Sequence, residues 1–269
     1  MKTMKNIIKC LTASLLVVNL SSCVDLDPEP LSFFAPENTF MDKEGLEALL
    51  ITSRKQIKWE WFGDAFNAGY CETPLVYEYA WSDISVMGAP EVKEIHNLET
   101  QLTPTTNMAL HLRYWDLAWN GIKYANTLIS RVPKSNIDNE DDKNQLLAEG
   151  YFHRAYWYYL LVNQWGDVPL LLEEVTGPKL DFYSTSRMKI LQQMKTDMEF
   201  AVKWLPKNVQ PGCVSRAAGE HLLAKIYLCT GDFQFAVDAT TRCINDYGLH
   251  LMKERFGVNA SDASLDVFN

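Results

Sequence analysis

The sequence predicts an all-α protein: a tetratricopeptide-like α-solenoid of helical hairpins, interrupted by long irregular aromatic-rich loops. Three observations carry this fold class. Residues 149–172, EGYFHRAYWYYLLVNQWGDVPLLL, are apolar on nearly every side when wound as a helix. One stripe is Ala148, Phe152, Ala155, Tyr159 and Val162; a second is Tyr151, Tyr158, Leu161 and Trp165. Glu149, His153, Asn163 and Gln164 leave only a thin polar seam, so the helix belongs between other helices. Second, Trp115, Ala118, Ile122, Ala125 and Ile129 recur at 3-4-3-4 spacing, which predicts a helix over 108–131 stopped by Pro133. Third, Leu223, Ala224, Tyr227, Gly231, Phe233, Ala236 and Cys243 reproduce the large-small-aromatic-Gly-aromatic-Ala spacing of a repeat of about 34 residues.

The remaining elements follow in chain order. Lys2, Lys5 and Lys9 precede an apolar stretch at 10–20, the pattern of a signal peptide over 1–22 and too short for a spanning helix. It ends in Leu20-Ser21-Ser22-Cys23, which resembles a bacterial lipobox. On that reading Cys23 is the lipidation site and several acyl chains anchor the protein; the alternative is an ordinary secretory signal with an incidental cysteine. Residues 23–36 form an acidic, proline-broken tether. A helical-repeat domain is expected over 37–269. Its first helix spans 43–61, with Leu46, Leu49, Leu50 and Ile57 inward. Residues 136–142 read as an acidic solvated turn, and the central helix begins near Asp141. Gly166 allows a left-handed exit and Pro169 prevents resumption. Ser184 or Thr185 is expected to cap the next helix, which ends at Pro206. The helix pairs 108–131/141–164 and 187–204/215–230 read as degenerate repeat copies stacked into a solenoid.

Composition narrows the function classes. The 269 residues are 47% hydrophobic, enough for a substantial core, and the net charge of −9 lacks the clustered Lys and Arg of a nucleic-acid binder. No nucleic-acid partner and no cofactor is implied. Of six cysteines, Cys71, Cys213, Cys229 and Cys243 remain after the leader and Cys23; their spacing suggests no metal site. An oxidising compartment permits disulfides, while Cys229 and Cys243 also fit as buried small hydrophobes. The five histidines are scattered without an i+4 ligand partner. No GxSxG, HExxH, Walker or Rossmann pattern occurs.

Arg154-Ala155-Tyr156, Tyr158-Tyr159-Leu160 and Gly166-Asp167-Val168-Pro169-Leu170 together resemble a hallmark segment of the SusD/RagB family of outer-membrane nutrient-binding lipoproteins. Ser215-Arg216-Ala217-Ala218 and the Gly231-Asp232-Phe233 turn extend the resemblance along the chain. It implies a non-enzymatic lipoprotein on the outer membrane, facing the medium. That protein binds an oligo- or polysaccharide or another nutrient and delivers it to a SusC-like TonB-dependent transporter. The family's proteins are about twice this length, so the resemblance also implies that the C-terminal half of the family fold is missing.

The candidate ligand residues lie in and beside the aperiodic stretch 62–107. Tyr77, Tyr79, Trp81 and Asp83 alternate with Glu78, Ala80 and Ser82, which in an extended segment places three rings and a carboxylate on one face. Trp59, Trp61, Asp64 and Asn67 lie upstream. Flat rings stack on the C–H face of a sugar, and Asp and Asn side chains bond its hydroxyls. The same aromatics would equally serve as a roof over the helical core. Arg154 reads as a buried ion pair or a carbonyl cap rather than a ligand contact. Two other function classes stand beside glycan binding. One is a helical-repeat scaffold for a protein or peptide partner with no glycan binding. The other is a glycoside hydrolase, which needs two carboxylates roughly 5 to 10 Å apart; Asp64 and Asp83 are the only pair suggested, and nothing selects them.

Overall fold

The computed structural model describes residues 40–62 and 109–249, with side chains described to Glu60 and again from Tyr114. Six α-helices run through these segments: α1 (Lys43–Phe62), α2 (Ala109–Arg131), α3 (Glu140–Gln164), α4 (Arg187–Trp204), α5 (Arg216–Thr230) and α6 (Phe233–Asn245). From α2 onward each helix packs on the next, and α1 lies against α2 and α3. This serial stacking is the helical-repeat solenoid that the sequence predicts.

Helix α3 is the axis of the fold. Trp157, Tyr158, Leu161 and Ala155 are wholly buried, and the main core runs from them into Ile190, Leu191, Met194 and Met198 of α4 and Leu223 and Ile226 of α5. A smaller core under α1 joins Leu46, Leu49 and Leu50 to Leu128, Val132, Ile137 and Leu146. Glycines set the closest helix approaches. A Cβ on Gly121 would lie 2.0 Å from Trp157 Nε1, and one on Gly219 would lie 2.8 Å from Leu205 Cδ1.

The helix ends depart from expectation in instructive ways. Helix α3 begins at Glu140, one residue before the expected start, so Glu140, Asp141 and Asp142, read also as the end of the acidic turn, form its first turn, where negative charge complements the helix dipole; Asn139 caps it, accepting from the Asp141 N–H at 2.9 Å. Ser184 and Thr185 do not cap α4. They form a two-residue strand, β2, paired antiparallel with β1 (Val168–Pro169), Val168 opposite Thr185. Ser186 stands at the cap position without a side-chain bond, and the Arg187 N–H instead donates to Asp167 Oδ1 at 2.8 Å. The buried face of α2 is rotated from the expected stripe. Tyr114, Leu117 and Leu128 join Ala118, Ile122 and Ala125 inside, while Trp115 and Ile129 are half-buried.

Gly231 has φ +81° between α5 and α6, with Tyr227 and Ala236 buried in the hairpin. Gly166 likewise has φ +74° at the exit of α3. Ser215 caps α5 by accepting from the Ala218 N–H, and Arg216 donates back to the carbonyls of Leu205 and Lys203 at the end of α4. Phe233, one of the repeat-spaced residues, is 65% exposed. With Val237 and Ile244 it makes an outward apolar stripe on α6, while Tyr227 pairs with Phe235, ring centroids 5.5 Å apart. Cys213, Cys229 and Cys243 are free and half-buried rather than fully buried. Burial pushes the Cys243 thiol up from its ordinary value.

Candidate functional site

A cleft of about 560 Å³ lies between one face of α2 and residues 168–182. Its helical wall is Trp115, Trp119, Ile122, Lys123 and Asn126, positions that fall on one side of a helix. The facing wall is built by alternation. Pro169, Leu171, Glu173 and Val175 line the cleft, while Val168 belongs to the core and Leu170 and Leu172 pack against it. Alternation of this kind is the period of an extended chain, and the strand at Val168–Pro169 begins it. Phe182 closes the far side on the returning segment, with Lys179 Nζ 5.7 Å from its ring centroid.

This strap is fastened to the helices by buried polar groups. The Tyr158 hydroxyl accepts from the Leu171 N–H at 2.6 Å and lies 3.2 Å from the carbonyl oxygens of Pro169 and Leu171. Arg154 donates to Asp197 through Nε (2.7 Å) and Nη2 (2.9 Å), and through Nη1 to Leu172 O (2.8 Å) and Asn126 Oδ1 (3.1 Å). Asn126 Nδ2 donates to Leu171 O at 2.9 Å. Further along, Arg131 forks onto the Glu174 carboxylate, and the Glu174 backbone N–H donates to Ser130 Oγ. Arg154 is therefore the buried ion pair and carbonyl cap that the sequence predicts. Burial pushes the Tyr158 hydroxyl far above its usual value, so it stays protonated.

The aromatic wall is packed edge to face. Trp115 meets Trp119 edge-on at 5.4 Å and Trp165 at 5.2 Å, and Trp119 meets Tyr158 at 6.1 Å. A second, polar cleft of about 390 Å³ lies beside α1 and α3, between Arg54, Glu149, Lys43 and Asp142. Four of its charges pair: Arg54 Nε is 2.5 Å from Glu149 Oε1, and Lys43 Nζ is 3.0 Å from Asp142 Oδ2, while Glu47 also lines the cleft. Glu149 and His153, expected in a polar seam, are buried here. Burial, the strongest influence on Glu149, pushes its carboxyl up, yet Arg54 holds it below its ordinary value. His153 Nε2 stands 3.6 Å from Glu149 Oε1, beyond hydrogen-bond distance.

Of the residues singled out from the sequence, Trp59 is 37% exposed on α1, with Lys55 Nζ 5.0 Å from its ring. Trp61 is also a residue of α1. Asp64, Asn67, Tyr77, Tyr79, Trp81, Asp83 and Cys23 lie outside the described residues, as does Cys71. The cleft residues Trp119, Lys123, Glu173 and Phe182 were not singled out from sequence. Their signals were the i, i+4, i+8 series Trp115-Trp119-Lys123 and the period-two run from Pro169 to Val175. Among the described residues no cluster of three His, Cys, Asp or Glu gathers that could hold a metal ion, and no helix is long and apolar enough to cross a membrane.

Fold and cleft together define a tetratricopeptide-like helical-repeat protein whose first hairpin carries an aromatic-walled cleft. A family profile described as "Starch-binding associating with outer membrane" matches residues 70–228, more than half of the sequence. The chain belongs to the SusD-like family. SusD-like protein P2 of Formosa agariphila is 29% identical over 240 residues, which cover 88% of this chain and 46% of that protein. Among solved structures, a SusD superfamily protein from Bacteroides vulgatus superposes with a TM-score of 0.67 at 20% identity, over 79% of this chain and 45% of that one. A laminarin-binding SusD-like protein superposes with a TM-score of 0.65 at 22% identity, over 78% and 46%. The chain thus spans about half the length of these relatives.

Proposed function

We propose that the full-length protein is a non-catalytic, surface-exposed outer-membrane lipoprotein, anchored through Cys23, that binds a glycan or another nutrient. It passes the ligand to a SusC-like TonB-dependent transporter. The observation that carries this reading is the match of residues 70–228 to a family described as starch-binding and associated with the outer membrane. A laminarin-binding structural neighbour supports a polysaccharide as the ligand class. Tyr77, Tyr79, Trp81 and Asp83 are the proposed stacking and hydroxyl-binding platform, with Trp59, Trp61, Asp64 and Asn67 beside it. The test is native electrophoresis of the full-length protein through gels containing starch, laminarin or xyloglucan. Retarded migration in at least one gel is expected; unchanged migration in every gel of the panel sinks the reading. Trp81→Ala should weaken the retained binding by roughly ten- to a hundredfold, as loss of one stacking surface implies.

A scaffold for a protein or peptide partner is the second reading. One observation favours it, the outward stripe of Phe233, Val237 and Ile244 on α6. Glycan retention separates the two.

A further inference from the structure

Resting on the glycan-binding reading, we propose that the cleft between α2 and the strap is itself a saccharide subsite. It takes a short segment of a neutral oligosaccharide, with Trp115, Trp119 and Phe182 as the stacking surfaces and Lys123 and Glu173 as the hydroxyl-binding rim. The volume of about 560 Å³ falls in the range of small-ligand sites. A pyranose ring presents an apolar C–H face and a polar edge, so it needs flat rings with polar groups at their margin. The cleft supplies both from elements that are already fixed. Edge contacts to Trp165 and Tyr158 hold the two indoles, which limits the ordering cost of binding.

The rim distinguishes this cleft from a mere gap in the packing. Nearby charges are committed to one another: Arg154 to Asp197 and Arg131 to Glu174. Lys123 and Glu173 line the same cleft and make no ion pair or hydrogen bond among the described residues. The indole N–H of Trp119 is likewise buried without an acceptor among them. One cation and one anion on the rim balance, which suits a neutral polyol. The net charge of −9 works against a polyanionic sugar. Both charges are exposed, and a purely hydrocarbon ligand would fill the walls without engaging either of them.

The test uses the full-length protein and calorimetric titration with maltohexaose, laminarihexaose, cellohexaose and a xyloglucan heptasaccharide. Phe182→Ala and Lys123→Ala alter exposed positions, so their melting temperatures should match the unmodified protein. Each is expected to weaken binding of the recognised oligosaccharide by about three- to thirtyfold. Trp119→Phe, which keeps a ring against Tyr158, should weaken it less than Trp119→Ala. If the unmodified protein binds an oligosaccharide and Phe182→Ala and Lys123→Ala bind it within twofold of that affinity, the cleft proposal is overturned while glycan binding stands. If the unmodified protein binds none of the four, the failure lies with the glycan reading on which the proposal rests.

Discussion

Arg154 and Asp197 face each other across α3 and α4 in a two-pronged pair, Nε to Oδ2 at 2.7 Å and Nη2 to Oδ1 at 2.9 Å, both side chains only 4% exposed. The same guanidinium reaches the Leu172 carbonyl and Asn126, so one side chain ties three helices to the strap. Truncating it strands a buried carboxylate. Arg154→Met should cost about 3–5 kcal/mol in urea unfolding, and Arg154→Lys should also lose stability because an ammonium cannot reproduce the fork. The double variant Arg154→Met/Asp197→Leu should recover part of that loss. A single Arg154→Met that unfolds at the unmodified midpoint would contradict the assignment.

Gly121 lies where α2 packs closely on α3. A methyl there would sit 2.0 Å from the Trp157 indole nitrogen, and that ring is wholly buried between α2 and α3. Overpacking of this kind typically costs about 1–3 kcal/mol. For a domain of this size that corresponds to a melting temperature lowered by roughly 2–12 °C. Gly121→Ala should show this in a thermal scan, and an unchanged melting point would mean that the helices separate more easily than their packing implies.

Glu149 supplies a pH dependence. Its carboxyl titrates below the 4.5 of an unperturbed glutamate because Arg54 favours the charged form. The unfolded chain therefore takes up this proton first as pH falls, so the pair's contribution is fully present above about pH 4.5 and is lost on falling through the folded value. Glu149→Gln should destabilise the protein by about 2–3 kcal/mol at pH 7, the scale of a charged hydrogen-bonded pair. The gap between the two proteins should narrow in acid. Denaturation at pH 7 and pH 3.5 measures it; a gap that widens in acid reverses the sign argued here.

Cys23 carries the anchoring prediction. Cys23→Ala should abolish acyl labelling and move the protein from the membrane to the soluble fraction, since acylation is the proposed anchor. Membrane retention of the unlabelled variant would remove the lipoprotein assignment.

What was legible in the sequence was local. The all-round apolarity of α3, the Gly166 exit, the Gly231 hairpin and the buried role of Arg154 follow from periodicity, backbone permission and the cost of burying a charge. What was not legible depends on distant partners. The Glu149–His153 seam looks solvated until Arg54, 95 residues earlier, arrives from α1. The cap of α4 comes from Asp167, 20 residues before it, which releases Ser184 and Thr185 to form a strand. The cleft joins a helix to a strap about 50 residues further on, and neither half announces the other. Phe233 satisfies the repeat spacing yet points outward, because spacing specifies a residue's phase on a helix and not which neighbour covers it.

The alternation along the strap has a consequence for how this segment tolerates change. Its even-numbered residues from Val168 to Leu172 serve the core, and its odd-numbered residues from Pro169 to Val175 serve the cleft. Replacing one of the cleft-facing residues retunes the wall and leaves the core untouched. Inserting one residue after Val168 would exchange the two sets, turning Glu173 inward and Leu172 outward, and would break the bonds of Leu171 to Tyr158 and Asn126. Two inserted residues restore the phase. The segment is free in composition on one side and fixed in parity on both.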